Sequence, residues 1–221
     1  MVTKKKLPIA ILASGGGTNL QSIIDQCQRG LLDIEICLVL SNNSGAGALK
    51  RAEKAGINTI CIDHRKFQNR EDFDQAVVDT LKNAGAELVV LAGFMRIISE
   101  IFLHAFPQRI INIHPALLPA FPGLHVQQKA IDYGAKFSGC TVHFVDAGVD
   151  TGPIIAQAVV PIFNDDCQET LAARILAQEH QIYPQAIQWI AEGRVKIFGR
   201  QVHIEKCKKN ESALINPSIG S

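Results

Sequence analysis

Asn112 and His114 are two polar side chains at the end of an otherwise apolar run, Ile110-Ile111-Asn112-Ile113-His114, which Pro115 stops. At i and i+2 on a strand they share one face. An amide N–H can donate to a developing oxyanion, and an imidazole can carry a proton near neutral pH. Such a pair suits a reaction that builds negative charge on an oxygen and moves a proton. A satisfied structural histidine at a strand end is the other reading, and the pair alone does not separate the two. Pro115 favours extended backbone at His114. Asp150 lies in the turn-rich stretch Asp146-Ala147-Gly148-Val149-Asp150-Thr151-Gly152-Pro153. Facing a histidine it would favour the charged ring; otherwise it is a turn former.

A second constellation is Ser14-Gly15-Gly16-Gly17-Thr18-Asn19, between an apolar run and a helical pattern. A glycine-rich turn at a helix N-terminus can aim backbone N–H groups at an anion. It is neither G-x-G-x-x-G, because position 20 is leucine, nor a P-loop, because no Gly-Lys-Ser/Thr follows. After the second strand come Asn42 and Asn43 rather than the acid that holds a dinucleotide ribose. A single phosphate or a tight structural turn remain as readings.

These residues need elements to hold them. Leu7–Ala13, Glu35–Leu40, Asn58–Ile62, Glu87–Ala92 and Ile110–His114 read as strands. Helical patterns run from Leu20, over Gly45–Ala55, over Arg70–Asn83, and from an N-cap at Ser99 to Ala105. The repeated β-loop-α order predicts a mostly parallel sheet with helices on both faces, whose ligands bind beyond the carboxyl ends of the strands. After a helix over Leu124–Tyr133 the pattern changes. Ser138–Val145 and Ile154–Ile162 read as a long hairpin, Thr170 opens a long helix to Glu192, and Val195–Ile204 reads as a small hairpin.

The totals bound the rest. The chain has 221 residues, 47% hydrophobic and 19% charged, with net charge +1, which gives no general electrostatic case for nucleic acid or membrane binding. No apolar run approaches the ~20 residues of a membrane span. The lysines and apolar run at the start read as a first strand rather than a secretory leader. The six cysteines form no C-x-x-C pair and read as reduced, buried thiols of a cytoplasmic protein. No His/Cys/Asp/Glu cluster has metal-ligand spacing.

In order and separation, Ser14-Gly15-Gly16-Gly17-Thr18-Asn19-Leu20, Leu91-Ala92-Gly93-Phe94-Met95-Arg96-Ile97, Asn112-Ile113-His114-Pro115, Leu117-Leu118-Pro119, Phe121-Pro122-Gly123 and Val149-Asp150-Thr151-Gly152-Pro153 resemble the glycinamide ribonucleotide formyltransferase family. Gln178-Glu179-His180 and Tyr183-Pro184 extend the resemblance, which covers Leu7 to Gly193. It implies a Rossmann-like three-layer α/β fold with antiparallel strands and a long helix in its C-terminal part. With no internal repeat, low-complexity segment or linker, the chain reads as one domain over residues 1–209, with a phosphate-binding half to about 106, a folate and catalytic half beyond it, and a loose tail over 210–221.

The resemblance implies transfer of the formyl group of 10-formyltetrahydrofolate to the amine of glycinamide ribonucleotide, without a metal, by a monomer or homodimer. By the same carry-over Asn112 and His114 stabilise the oxyanion, with His114 as proton donor, and Asp150 keeps His114 protonated. Gly17, Thr18 and Asn19 hold the phosphate, and Glu179 touches the ribose or is a structural helix residue. Met95, Arg96, Ile97, Ile98, Asn112 and Arg70 contact folate. Ala116 stands where related folate formyltransferases carry serine, which implies an altered local hydrogen bond. His125 and His143 lie where the family has histidines near the site, with a structural role favoured for each, and His64 and His104 read as surface residues. The rivals are a formyltetrahydrofolate hydrolase, expected to carry an N-terminal regulatory domain, and a methionyl-tRNA formyltransferase, expected to carry an RNA-binding domain beyond Gly193. A non-catalytic Rossmann-type module would give no reason for Asn112, His114 and Asp150 to occur together.

Overall fold

The computed structural model describes residues 5–208, 212–214 and 216; most of the tail expected to be loose lies outside them. Strands β1 (Leu7–Leu12), β2 (Ile34–Ser41), β3 (Thr59–Cys61), β4 (Leu88–Leu91), β5 (Ile110–His114), β6 (Phe137–Phe144) and β7 (Ile154–Pro161) form one sheet in the order β3-β2-β1-β4-β5-β6-β7. From β3 to β5 the pairing is parallel, and β6 and β7 join antiparallel. The helices are α1 (Thr18–Gln28), α2 (Gly47–Lys54), α3 (Arg70–Asn83), α4 (Glu100–Ala105), α5 (Val126–Asp132) and α6 (Gln168–Ala191). A separate hairpin pairs β8 (Val195–Phe198) with β9 (Gln201–Ile204).

The continuous apolar strands follow from burial on both faces. Ile9 and Ile11 of β1 pack in one core cluster with Leu20 and Ile24 of α1 and Ile175 and Ile187 of α6. Their neighbours Ala10 and Leu12 point the other way, into a cluster with Phe73, Val77 and Leu81 of α3 and Phe102 of α4. The molecule is therefore three layers, and the strand order reverses direction between β1 and β4, where open α/β sheets bind ligands.

Three local expectations change. Of the six cysteines expected to be buried, Cys140 is, Cys27 and Cys37 are half-buried, and Cys61, Cys167 and Cys207 are exposed. Ser99 stands at the N-cap of α4, but its hydroxyl makes no cap bond; its N–H instead donates to the buried Asp74 carboxylate of α3, at 2.5 Å. Helix α6 begins at Gln168 rather than Thr170, because the Thr170 hydroxyl reaches back to accept the Cys167 N–H at 3.1 Å in a capping box. Of the tail, Asn216 donates its side-chain amide to the carbonyls of Lys136 and Ile162, at 2.7 and 3.0 Å.

Candidate active site

The glycine-rich turn leaves β1 and enters α1 through Gly17, whose φ of 74° is the left-handed conformation that favours glycine. A Cβ there would also meet Ala48 Cα at 2.7 Å, so the turn packs directly on α2. The backbone N–H groups of Gly16, Gly17, Thr18 and Asn19 make no hydrogen bond among the described residues. Free donors at a helix N-terminus suit an anion. Asn19 is buried, and its side-chain amide donates to Glu179 Oε2 of α6 at 2.7 Å. Burial pushes the Glu179 carboxyl above the usual range, against the pull of that hydrogen bond.

Ser14 joins this turn to the end of β4. Its N–H donates to Gly93 O at 2.9 Å, and its hydroxyl accepts the Met95 N–H at 2.8 Å while donating to Asn42 Oδ1 at 2.6 Å. In the segment after Gly93, the apolar side chains of Met95 and Ile97, two residues apart, are exposed, 69% and 60%. Ile98 is buried in the α3-side core instead. The Arg96 guanidinium lies 5.5 Å from the centre of the Phe73 ring. Arg70 is the first residue of α3 and pairs with Glu71 at 3.2 Å.

Asn112 lies opposite Leu91 of β4 on one side and His143 of β6 on the other. Tyr183, one helical turn beyond Glu179, sends its buried hydroxyl to Leu91 O at 2.8 Å and Ile111 O at 3.2 Å, so α6 spans the ends of β4 and β5. Beyond His114 the chain is held by Thr141, whose hydroxyl donates to Ala116 O at 2.7 Å and accepts the Leu118 N–H at 3.1 Å. Ala116 itself is fully buried, and this backbone anchoring is independent of its side chain.

Asp150 meets this face from the nine-residue loop between β6 and β7, with a left-handed φ of 55°. Its Oδ2 lies 3.3 Å from His114 Nδ1 and accepts the Gly123 N–H at 2.9 Å. The other ring nitrogen, His114 Nε2, is 2.9 Å from Phe121 O. Both nitrogens of this buried ring face acceptors, which a doubly protonated ring satisfies. The Phe121-Pro122-Gly123 turn thus touches both members of the pair.

The structure draws in one residue read as structural. His143 is 1% exposed, its Nδ1 is 2.8 Å from Phe144 O, and its Nε2 faces Asn112 Nδ2 at 3.3 Å and Asp150 Oδ1 at 3.7 Å. Burial holds its pKa below the usual histidine value. The available signal was the i, i+2 pair of Thr141 and His143 in an apolar strand, the mirror of Asn112 and His114. His64 is also no plain surface residue: its ring packs edge-on to Phe73 and its Nδ1 is 3.2 Å from Asn42 Nδ2. His125 is exposed at the start of α5, and His104 is exposed on α4. Among the described residues no group of three His, Cys, Asp or Glu is placed to hold a metal ion, and no helix is long and apolar enough to cross a membrane.

The site therefore offers an anion-type loop, an exposed apolar strand end, and an amide, two imidazoles and a carboxylate in mutual contact. The profile of the formyl transferase family matches residues 7–187. Phosphoribosylglycinamide formyltransferase of Escherichia coli (strain K12) is 43% identical, covering 86% of this chain and 89% of the relative. Trifunctional purine biosynthetic protein adenosine-3 of Drosophila pseudoobscura pseudoobscura is 48% identical over 89% of this chain, which spans 14% of that relative's length. The crystal structure of glycinamide ribonucleotide transformylase 1 from Symbiobacterium toebii superposes with a TM-score of 0.90 at 49% identity, covering 91% of this chain and 95% of that one.

Proposed function

The chain belongs to the formyl transferase family, and we propose that it transfers the formyl group of 10-formyltetrahydrofolate to the amine of glycinamide ribonucleotide. The products are formylglycinamide ribonucleotide and tetrahydrofolate, in purine synthesis. The observation that carries this reading is the buried His114 ring paired with half-buried Asp150, 3.3 Å apart, beside Asn112 on the same strand face.

The amine nitrogen attacks the formyl carbon, and the carbonyl electron pair moves onto its oxygen. Asn112 Nδ2–H and His114 donate to that oxyanion, His114 through Nε2 once the Phe121 carbonyl gives way to the substrate. Asp150 holds the charged ring in place. When the bond from carbon to the folate nitrogen breaks, the oxyanion returns its electron pair to the carbonyl. The leaving nitrogen takes a proton and the attacking amine gives one up, with Asp150 and His114 carrying the exchange. No metal is needed for charge that two hydrogen-bond donors can meet.

Gly17, Thr18 and Asn19 supply backbone donors for the ribonucleotide phosphate. Glu179 accepts from the ribose hydroxyls in exchange for the Asn19 amide. Met95, Arg96, Ile97 and Ile98, with Asn112 and Arg70, form the folate side, Ile98 as the buried base of that wall. We take the enzyme to act on small molecules in the cytoplasm, as a monomer or homodimer.

The test is a formyl-transfer assay with glycinamide ribonucleotide and 10-formyltetrahydrofolate. The expected result is tetrahydrofolate release that depends on the amine, with formylated ribonucleotide as product. Folate deformylation at the same rate without the ribonucleotide would make the protein a hydrolase and overturn the reading.

A further inference from the structure

Helix α2 touches the glycine-rich turn at several places besides the Gly17–Ala48 approach. Ala48 N–H donates to Gly15 O at 3.1 Å, Arg51 Nε–H donates to Gly16 O at 2.8 Å, and Gly47 sits so close that a Cβ on it would meet Gly16 O at 3.1 Å. In a trans peptide unit the C=O and the following N–H point in opposite directions. Drawing the Gly15 and Gly16 carbonyls toward α2 therefore turns the N–H groups of Gly16 and Gly17 away from it, and these two donors have no partner among the described residues.

Arg51 is half-buried and fixed at two further points: Nη1–H donates to Gln21 Oε1 at 3.2 Å, and Gln21 in turn donates to Asp25 at 2.8 Å. Its guanidinium forms no ion pair among the described residues, and Nη2 makes no hydrogen bond there. A planar guanidinium with Nε and Nη1 spent on positioning, and charge left over, can also add to the positive potential that favours a phosphate.

We propose that Arg51 is a positioning residue for phosphate recognition. By holding the Gly16 carbonyl against α2 it presents the Gly16–Gly17 donors to a phosphate monoester, and it supplies uncompensated positive charge behind the turn. This rests on the reading of the turn as the ribonucleotide's phosphate site, and it adds a residue outside the turn to that site.

The experiment compares the wild type with Arg51→Ala and Arg51→Lys by calorimetric titration with ribose 5-phosphate, and by steady-state kinetics with both substrates. Arg51→Ala is expected to weaken ribose 5-phosphate binding and raise the ribonucleotide KM by about tenfold or more, one lost charge-assisted hydrogen bond. The KM for 10-formyltetrahydrofolate should stay within about twofold, by the additivity of distant sites. Arg51→Lys, which keeps the charge and one donor, should fall between the two. A residue that only ties α2 to α1 would lower the melting temperature and shift both KM values together, and that result overturns the proposal. Unchanged ribose 5-phosphate affinity in Arg51→Ala, or none in the wild type, overturns it as well. Wild-type binding that Arg51→Ala loses, in a protein without formyl transfer, would sink the proposed reaction and leave the role of Arg51 standing.

Discussion

His143 Nε2 lies 3.3 Å from the side-chain nitrogen of Asn112, while its Nδ1 lies 2.8 Å from the Phe144 carbonyl. A carbonyl only accepts, so Nδ1 carries the proton and Nε2 is left as the acceptor. The ring thereby fixes which end of the Asn112 amide is nitrogen, and leaves its second N–H to point at a ligand.

This contact predicts the behaviour of His143→Phe, which keeps the ring volume but loses the acceptor. Turnover should fall about 10²-fold, the scale of a misplaced catalytic donor, with smaller changes in either KM. Protonation of His143 should act the same way, because a charged Nε2 donates to Asp150 and rejects the amide. Its folded pKa is depressed, so the stability it contributes is present above the ordinary histidine value and is lost as pH falls through the folded value. The wild type should accordingly lose stability between about pH 6.5 and that lower value, and His143→Phe should not. Equal acid melting curves for the two proteins would argue against a neutral His143.

Asn112→Ala and His114→Ala should each cost about 3 kcal/mol of transition-state stabilisation, read from kcat/KM, since each removes one proposed oxyanion donor. Both should still melt cooperatively, because β5 is held by β4 and β6 through its backbone. Near-normal turnover in either variant would remove that residue from the catalytic list.

Asp150→Asn keeps the size of the side chain and an acceptor for the Gly123 N–H, but removes the negative charge 3.3 Å from His114 Nδ1. A drop in kcat of about 10–100-fold is expected, the range for a charged hydrogen bond. A changed pH–rate profile should accompany it. A profile of unaltered shape would mean that Asp150 acts on the loop and not on His114.

Glu179 gives a stability prediction of opposite sign. Burial raises its folded pKa, so the stability it contributes is full below the ordinary glutamate range and is lost as pH rises through the folded value. In Glu179→Gln that titration is absent while Asn19 keeps an acceptor. The melting temperature of the variant should rise relative to wild type as the pH climbs above the ordinary glutamate value of about 4.3. Its KM for the ribonucleotide should increase if the carboxylate meets the ribose. A difference in melting temperature that is flat with pH would contradict the raised value.

Much of this architecture could be read before any coordinates. Strand β5 and helix α3 fall on the residues that alternation and apolar spacing mark, because burial alone decides them. The Gly17 turn was readable because only glycine suits its backbone. What escaped were partners distant in sequence. Ser99 reads as a cap and stands at the N-cap, but its N–H is met by a carboxylate 25 residues earlier. His143 is a plain strand residue until antiparallel register sets it across from Asn112, and register is invisible to a pattern taken one strand at a time. The family resemblance makes Asp150 a partner of His114, yet nothing local says that the loop returns over the sheet face to place it there.

The Asn19–Glu179 bond has a consequence for a chain made from its N-terminus. Asn19 and its partner are separated by 160 residues. At ribosomal rates that interval is on the order of 10–30 s. During this time the glycine-rich turn can rest on α2, but the wall that α6 provides does not yet exist. The anion side of the cleft is thus made well before it is enclosed. A phosphate-bearing metabolite could meet it half-built, and a ribosome that stalls before α6 leaves the buried faces of β1, β4 and β5 open to chaperones.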